Sequence, residues 1–143
     1  MDKERLLGAW KLVSASSTTS SGNKDATPYG SSPSGLLIYS SEGRVSALIS
    51  YAGRKPLSPT ASPQEKAAAF DTFIAYGGRY TLEGERVVHH VEISSIQNYA
   101  NRDLVRTVRF EEDRIVLTTP PTPINGKVQT VELIWQRVVA GPK

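Results

Sequence analysis

The two histidines of the chain are adjacent in the segment "VVHHVEISS", at positions 89 and 90. Apolar residues recur there with a period of two, which predicts a β-strand whose successive side chains point to opposite faces. On this pattern His89 shares an apolar face with Val91 and Ile93, whereas His90 shares the other face with Glu92. Two side chains that diverge in this way cannot bind one metal ion together. We therefore expect His89 to face the interior and His90 to face solvent.

A second candidate for chemistry lies in the segment "DLVRTVRF". Period two places Arg106 on the apolar face with Leu104 and Val108, and a buried charge demands an acceptor. A partly buried histidine can act as a general acid or base, and a nearby arginine can hold a carboxylate, enolate or phenolate. The pair thus predicts acid–base chemistry without a cofactor, with His89 as the acid or base and Arg106 as the anion holder.

Tyrosines are further candidates, because each can pack its ring and still offer a hydroxyl to a ligand. Several tyrosines around one cavity suit an oxygenated aromatic or polyketide-like molecule. Structural roles are the alternative: His89 as a satisfied core histidine, Arg106 as the partner of an interior carboxylate, and each tyrosine as core or rim. The pattern leaves the orientation of Tyr39 open. The candidate ligand-binding residues are Tyr39, Tyr51, Tyr76 and Tyr80, together with Phe110 and Trp135 on the faces expected to point inward.

Composition narrows the class of protein. The chain has 143 residues, 38 % of them apolar and 22 % charged, and lacks an apolar run long enough to span a membrane. A net charge of +3 is spread without basic runs, which argues against nucleic-acid binding. There is no cysteine, and the charged start "MDKERLLGAW" does not resemble a secretion signal, so we expect a cytoplasmic protein. The length predicts one domain over residues 1–143.

Several kinds of catalytic site are absent from the sequence. Without cysteine there is neither a thiolate nucleophile nor a cysteine-based zinc site. No glycine-rich phosphate loop, dinucleotide fingerprint or Gly-x-Ser-x-Gly elbow is present. We therefore expect no metal and no cofactor.

The pattern along the chain predicts a mainly β protein. Segments of period two alternate with turn sequences at intervals of about ten residues, and counting them gives eight strands. Ser62, Pro63 and Glu65 are start signals for one helix over about residues 63–76, with an apolar stripe that packs on the sheet or plugs a barrel end. Eight sequential antiparallel strands predict a closed barrel that is filled or holds one small ligand. A two-sheet β-sandwich is the alternative.

A resemblance to a known family rests on several of these segments. "GAW" near the start, "PYG", "GLLIYSSEGRVSALI", "AFDTFIAYGGRYTLEG", "VVHHVEISSIQNYANRDLVR" and "LIWQR" together resemble the small lipocalin-like domain proteins of bacteria and fungi. The likeness implies an eight-stranded lipocalin-like barrel whose floor is closed by Arg137 packing across Trp10. It also matches His89, Arg106 and a turn at Asn98 with Tyr99, and we add these last two to the candidate ligand-binding residues. Gln97 stands where the family usually has proline.

Three functions remain open at this point. The first is a cofactor-free enzyme that isomerises, cyclises or dehydrates a small apolar, oxygen-bearing metabolite, as some fungal barrels of this kind do in secondary metabolism. The second is a carrier or sequestering protein for the same kind of ligand. The third is an interaction module with a filled core. The expected partner is a small hydrophobic organic ligand or substrate, and a homodimer is left open.

Overall fold

Strands make up most of the chain in the computed structural model, which describes residues 1–124 and 126–139. Positions 125 and 140–143 of the expected domain lie outside the described residues. The strands are β1 (Gly8–Thr19), β2 (Lys24–Asp25), β3 (Ser34–Tyr39), β4 (Arg44–Ser50), β5 (Phe73–Glu83), β6 (Arg86–Ser94), β7 (Asp103–Glu111), β8 (Arg114–Thr118), β9 (Thr122–Ile124) and β10 (Lys127–Arg137). The helices are α1 (Lys3–Leu6), α2 (Pro63–Asp71) and a 3-10 helix at Gln97–Tyr99.

The sheet closes on itself through the first and last long strands. Neighbours run in the order β1-β3-β4-β5-β6-β7-β8-β10, and β10 pairs back onto β1 from Trp10↔Arg137 to Thr19↔Gln129. Within residues 1–124 and 126–139 this makes a closed, antiparallel barrel of eight strands, and the short β2 and β9 pair additionally with β1 and β10. The predicted barrel is confirmed, and the sandwich alternative is excluded because closure leaves neither β1 nor β10 as a free edge.

The helix α2 begins as predicted and ends earlier. Ser62 and Glu65 form a reciprocal capping box, in which the Ser62 hydroxyl accepts from the backbone N–H of Glu65. The predicted end near residue 76 is wrong, because Phe73 already pairs with Ser50 on β4 as the first residue of β5. None of the residues in α2 is buried, so the expected apolar stripe does not form and the helix does not plug the barrel.

A β-bulge changes which side chains of β6 face inward. Gly77 pairs with Ile93 and Gly78 with Val91, so Glu92 is an extra residue on β6. The expectation that Ile93 shares the inner face of His89 is therefore wrong, and Ile93 is 74 % exposed. Before the bulge His89 and Val91 are buried as predicted, and Val88 on the opposite face is buried as well.

The end of the barrel near the N-terminus is closed by side chains. The Arg137 guanidinium lies 4.2 Å from the centre of the Trp10 ring and donates to the carbonyl oxygens of Leu7, at 2.7 Å, and Arg5. The Trp10 indole N–H donates to the carbonyl of Leu6, whose side chain is fully buried. Trp10 and Arg137 thus hold α1 across this end, in the arrangement that the resemblance implied.

The close approach of β5 and β6 at the bulge gives a prediction for stability. A Cβ atom on Gly78 would lie 2.0 Å from the carbonyl oxygen of His90, whereas one on Gly77 would meet nothing nearer than 3.4 Å. Gly78→Ala should therefore lower the free energy of unfolding by about 3 kcal/mol or more, because the two backbones must separate. Gly77→Ala is the matched control and should change it by less than about 1 kcal/mol. Urea unfolding measures both, and equal losses would contradict the role given to Gly78.

Candidate functional site

The barrel contains a cavity of about 410 Å³. It lies towards the end opposite α1, where loops leading out of β6 and β8 contribute Tyr99 and Pro120. Its wall is mostly apolar and carries a small number of polar groups, as in many ligand pockets. The lining residues are Tyr29, Leu37, Ala47, Ile49, Ile74, Tyr76, His89, Tyr99, Asp103, Leu104, Val105, Arg106, Leu117, Thr119, Pro120, Thr122, Pro123, Val131, Leu133 and Trp135.

His89 lies in the wall of this cavity between two tyrosines. Its Nε2 is 2.6 Å from the hydroxyl of Tyr39, and its Nδ1 is 2.6 Å from the hydroxyl of Tyr76. The residue is 1 % exposed. Both ring nitrogens are thus engaged, and the ring orientation is set by hydroxyls from β3 and β5, on two different parts of the chain.

The three hydrogen-bonded side chains Tyr39, His89 and Tyr76 are neutral near pH 7. Burial lowers the pKa of His89 from 6.5 to about 3, and the positive charge of Arg106 acts in the same direction. Burial raises the pKa of Tyr39 well above its usual value and also raises that of Tyr76, although Arg106 opposes both shifts. The cavity wall therefore holds a neutral imidazole between two neutral phenols.

Arg106 is a cation of the cavity wall without a carboxylate partner. Its Nη1 donates to the carbonyl of Val105 at 2.9 Å, and no carboxylate in the described part of the chain lies within ion-pair distance of it. Asp103 is the one acidic residue of the lining, and its largely exposed carboxylate is 2.8 Å from Nδ1 of His90. The alternative explanation of Arg106 as the partner of an interior carboxylate is thus not what the structure shows.

The predicted catalytic and ligand-binding residues divide into two groups. Five of them line the cavity: His89, Arg106, Tyr76, Tyr99 and Trp135. Tyr39 lies outside the lining and forms a hydrogen bond with His89. Five predicted ligand-binding residues, Tyr39 among them, do not line the cavity. Tyr51 packs on Tyr29, and Tyr80 donates to the carbonyl of Ser40. Phe110 lies under Arg5 near the closed end, and Asn98 is exposed.

Tyr29 is a lining residue that the sequence patterns did not single out. It comes from the loop rich in Ser, Gly and Pro, and its ring centre lies 4.9 Å from that of Tyr51. Burial raises the pKa of its hydroxyl to about 12. The available signal in the sequence was a single aromatic residue in a polar loop. Such a ring is stabilised when it folds back over an apolar opening, because its apolar surface then leaves water.

The second histidine belongs to the outer surface. His90 Nε2 is 2.7 Å from the hydroxyl of Thr81, while its Nδ1 meets Asp103, and the paired Arg44 and Glu92 lie on the same face. Among the residues whose positions are described, no three metal-ligating side chains come together. None of the described helices is long and apolar enough to cross a membrane.

Comparison with known proteins agrees with this barrel. Residues 7–138 match the profile of the lipocalin-like domain family. The chain belongs to the lipocalin-like domain family. One relative is the 4'-hydroxy-3'-methoxypropiophenone carrier protein of Aspergillus oryzae, which is 33 % identical to this lipocalin-like chain over 95 residues. The aligned region covers 60 % of this chain and 84 % of the relative.

The neutral state of His89 in this lipocalin-like barrel predicts a pH dependence of stability. Its pKa is about 3 in the folded protein and about 6.5 when exposed, so between these values the unfolded chain binds the additional proton. Stability should therefore fall as pH decreases from 6.5 towards 3, by about 2–3 kcal/mol at pH 4.5 from this residue alone. His89→Gln removes the titrating group while it keeps a donor and an acceptor.

Urea unfolding of both proteins at pH 7 and pH 4.5 measures this effect. Carboxylates elsewhere affect both proteins equally, so the wild type should lose about 2–3 kcal/mol more than His89→Gln over this interval. Parallel pH profiles of the two proteins would show that His89 is not held neutral by the fold.

Proposed function

We propose that the protein is a carrier that encloses one small, apolar, oxygen-bearing aromatic molecule in its barrel. The observation that carries this proposal is the cavity of about 410 Å³, whose apolar wall converges on Tyr76, His89 and Arg106. Pockets of this size with few polar groups suit a single small organic ligand. The third function considered, an interaction module with a filled core, has no support from a barrel with this much space.

The arrangement of His89 favours binding over turnover. A general base must reach the proton that it abstracts, yet both nitrogens of His89 are occupied by tyrosine hydroxyls at 2.6 Å. A histidine with a pKa of about 3 is also a weak base at neutral pH. The catalytic role predicted for His89 itself is therefore the less supported one, and its role in the proposal is to orient Tyr76.

The carrier relative supports the class of ligand. The molecule in the name of this relative is a phenol that carries a ketone and a methoxy group, and it is small, largely apolar and rich in oxygen. The aromatic lining residues Tyr29, Tyr99 and Trp135 suit the flat face of such a ring. We propose that the ligand of this chain belongs to the same chemical class, and that the protein acts in the cytoplasm.

A second candidate function is cofactor-free conversion of that ligand. The observation that favours it is the chain from Tyr39 through His89 to Tyr76, which ends at the cavity beside Arg106. Tyr76 is then the group that transfers a proton to the ligand, and Arg106 stabilises the negative charge, in an isomerisation, cyclisation or dehydration of secondary metabolism. Recovery of a chemically altered ligand that depends on Tyr76 would favour this function over the carrier.

Ligand titration tests the carrier proposal. Adding 4'-hydroxy-3'-methoxypropiophenone should change the fluorescence of Trp135, which lines the cavity, with a dissociation constant of about micromolar order for a ligand of this size. Mass spectrometry of the extracted ligand should find it unaltered. Absence of any binding, by fluorescence and by calorimetry, would contradict the proposal for this class of ligand.

A cavity-filling variant locates the binding site. Ala47 lines the cavity, whereas Ala75 lies on the outer face, beside Leu48 and Ile93. Ala47→Phe should weaken binding at least about tenfold by occupying the ligand's space, and Ala75→Phe should leave it within about twofold. Circular dichroism checks that both variants are folded. Equal affinities of the two variants would place the ligand outside the barrel.

A further inference from the structure

The position of the proton in the Tyr39–His89–Tyr76 chain follows from hydrogen-bond accounting. A neutral imidazole has one N–H donor and one acceptor nitrogen. His89 is neutral near pH 7 and has a tyrosine hydroxyl at each nitrogen. One tyrosine must therefore donate to the ring, and the other must accept from it.

Tyr39 is the tyrosine that donates. It is 1 % exposed, and its hydroxyl has His89 Nε2 as its acceptor, with no other acceptor within reach in the described part of the chain. If Tyr39 accepted from Nε2 instead, its own buried proton would have no acceptor, which is costly. Tyr39 thus donates to Nε2, Nδ1–H donates to the oxygen of Tyr76, and the hydroxyl proton of Tyr76 is directed away from His89.

The polar end of the cavity, defined as Tyr76 and Arg106, therefore presents donors. Tyr76 lines the cavity, and its oxygen lone pair is used by His89, so the O–H is what it can offer to a ligand. Arg106 can only donate. Arg106 also opposes the rise in the pKa of Tyr76, through its positive charge and through a hydrogen bond to the Tyr76 side chain.

We infer that the polar end of the cavity takes a deprotonated oxygen, so that the protein binds a phenol or enol ligand as its anion. The inference rests on the proposed carrier function and specifies the chemical form of its ligand. A neutral ligand seated over Arg106 would remove water from an uncompensated cation, whereas an oxyanion replaces that water and cancels the charge. Hydrogen bonds from a hydroxyl and a guanidinium to an anionic oxygen are of the strong, charge-assisted kind.

The charges around the polar end support this form. His89 is neutral, and the largely exposed carboxylate of Asp103 hydrogen-bonds to His90 on the outer surface, so Arg106 is the charged residue of the cavity wall that lacks an ion-pair partner in the described part of the chain. The aromatic side chains of Tyr29 and Tyr99 lie in the same wall and favour a ring attached to that oxygen. The ligand is therefore an aromatic molecule with a weakly acidic hydroxyl, and the cavity lowers the pKa of that hydroxyl.

Spectroscopic titration of a bound phenol tests the inference. The probe is 4'-hydroxy-3'-methoxypropiophenone, whose phenolate absorbs at longer wavelength than its phenol, and the companion probe is the methyl ether of that phenol. With saturating protein, the bound phenol should ionise at least about one pH unit lower than in buffer. This shift means that the phenolate binds at least about tenfold more tightly than the phenol. The methyl ether should bind at least about tenfold more weakly than the phenol at a pH where the bound phenol is ionised.

Two arginine variants form a matched pair for this titration. Arg106→Met removes the cavity cation and keeps a long apolar stem, so the shift in the phenol's pKa should disappear and both probes should bind equally. Arg79 is exposed on the outer side of β5, and Arg79→Met should keep the shift. Tyr76→Phe should reduce the shift because it removes one donor.

The outcomes separate the inference from the function on which it rests. A lower ionisation pH that depends on Arg106 supports the anionic form of the ligand. If the phenol binds but ionises as it does in buffer, or the methyl ether binds as tightly, the inference is overturned and the carrier function stands. If neither probe binds to the folded wild type, the anionic form of the ligand and the carrier function are both overturned for this class of ligand.

Discussion

The pairing of β1 with β10 is the constraint on which the rest of the structure depends. It joins Trp10 to Arg137 and continues to Thr19 and Gln129, so segments from the two ends of the sequence lie side by side. Closing so long a loop costs chain entropy, which the burial of the barrel interior must offset. Without closure, β1 and β10 would be exposed edges, and the inner faces of eight strands would be open to water. The site exists because this interior excludes solvent.

Exclusion of water explains the chemistry of the cavity wall. His89 stays neutral because burial removes the hydration that a charged ring would need, and Arg106 adds to the effect. The same low dielectric strengthens the two hydrogen bonds from Tyr39 and Tyr76, which hold the ring in one orientation. In the same surroundings Arg106 donates a hydrogen bond to the carbonyl oxygen of Val105. Both ring nitrogens of His89 are therefore hydrogen-bonded within the protein, whereas Arg106 has no carboxylate partner among the described residues. This difference is the basis for proposing that Arg106 contacts the ligand and that His89 does not.

The sequence predicted the features of this site that depend on neighbouring residues along one strand. Period two placed His89 and Arg106 on inner faces, and both line the cavity. Contacts between distant strands were beyond such patterns: Tyr39 and His89 are 50 positions apart, and the orientation of Tyr39 was undecided from its own strand. Tyr76 was assigned to the end of the predicted helix, but it lies in β5. The strand pairing of β5 depends on partners far away in sequence and outweighs the local helix signals there.

The bulge in β6 has a consequence for how sequences of this family can be compared. Because Glu92 is one residue more than the pairing of β5 requires, the alternation of inner and outer positions is offset on its two sides. Side chains before the bulge follow one parity and side chains after it follow the other. A relative that lacks the bulge must differ from this chain by one residue in length at this place, and an ungapped alignment through it would equate inner residues of one protein with outer residues of the other. The site residues on β6 can be transferred between relatives only up to that point.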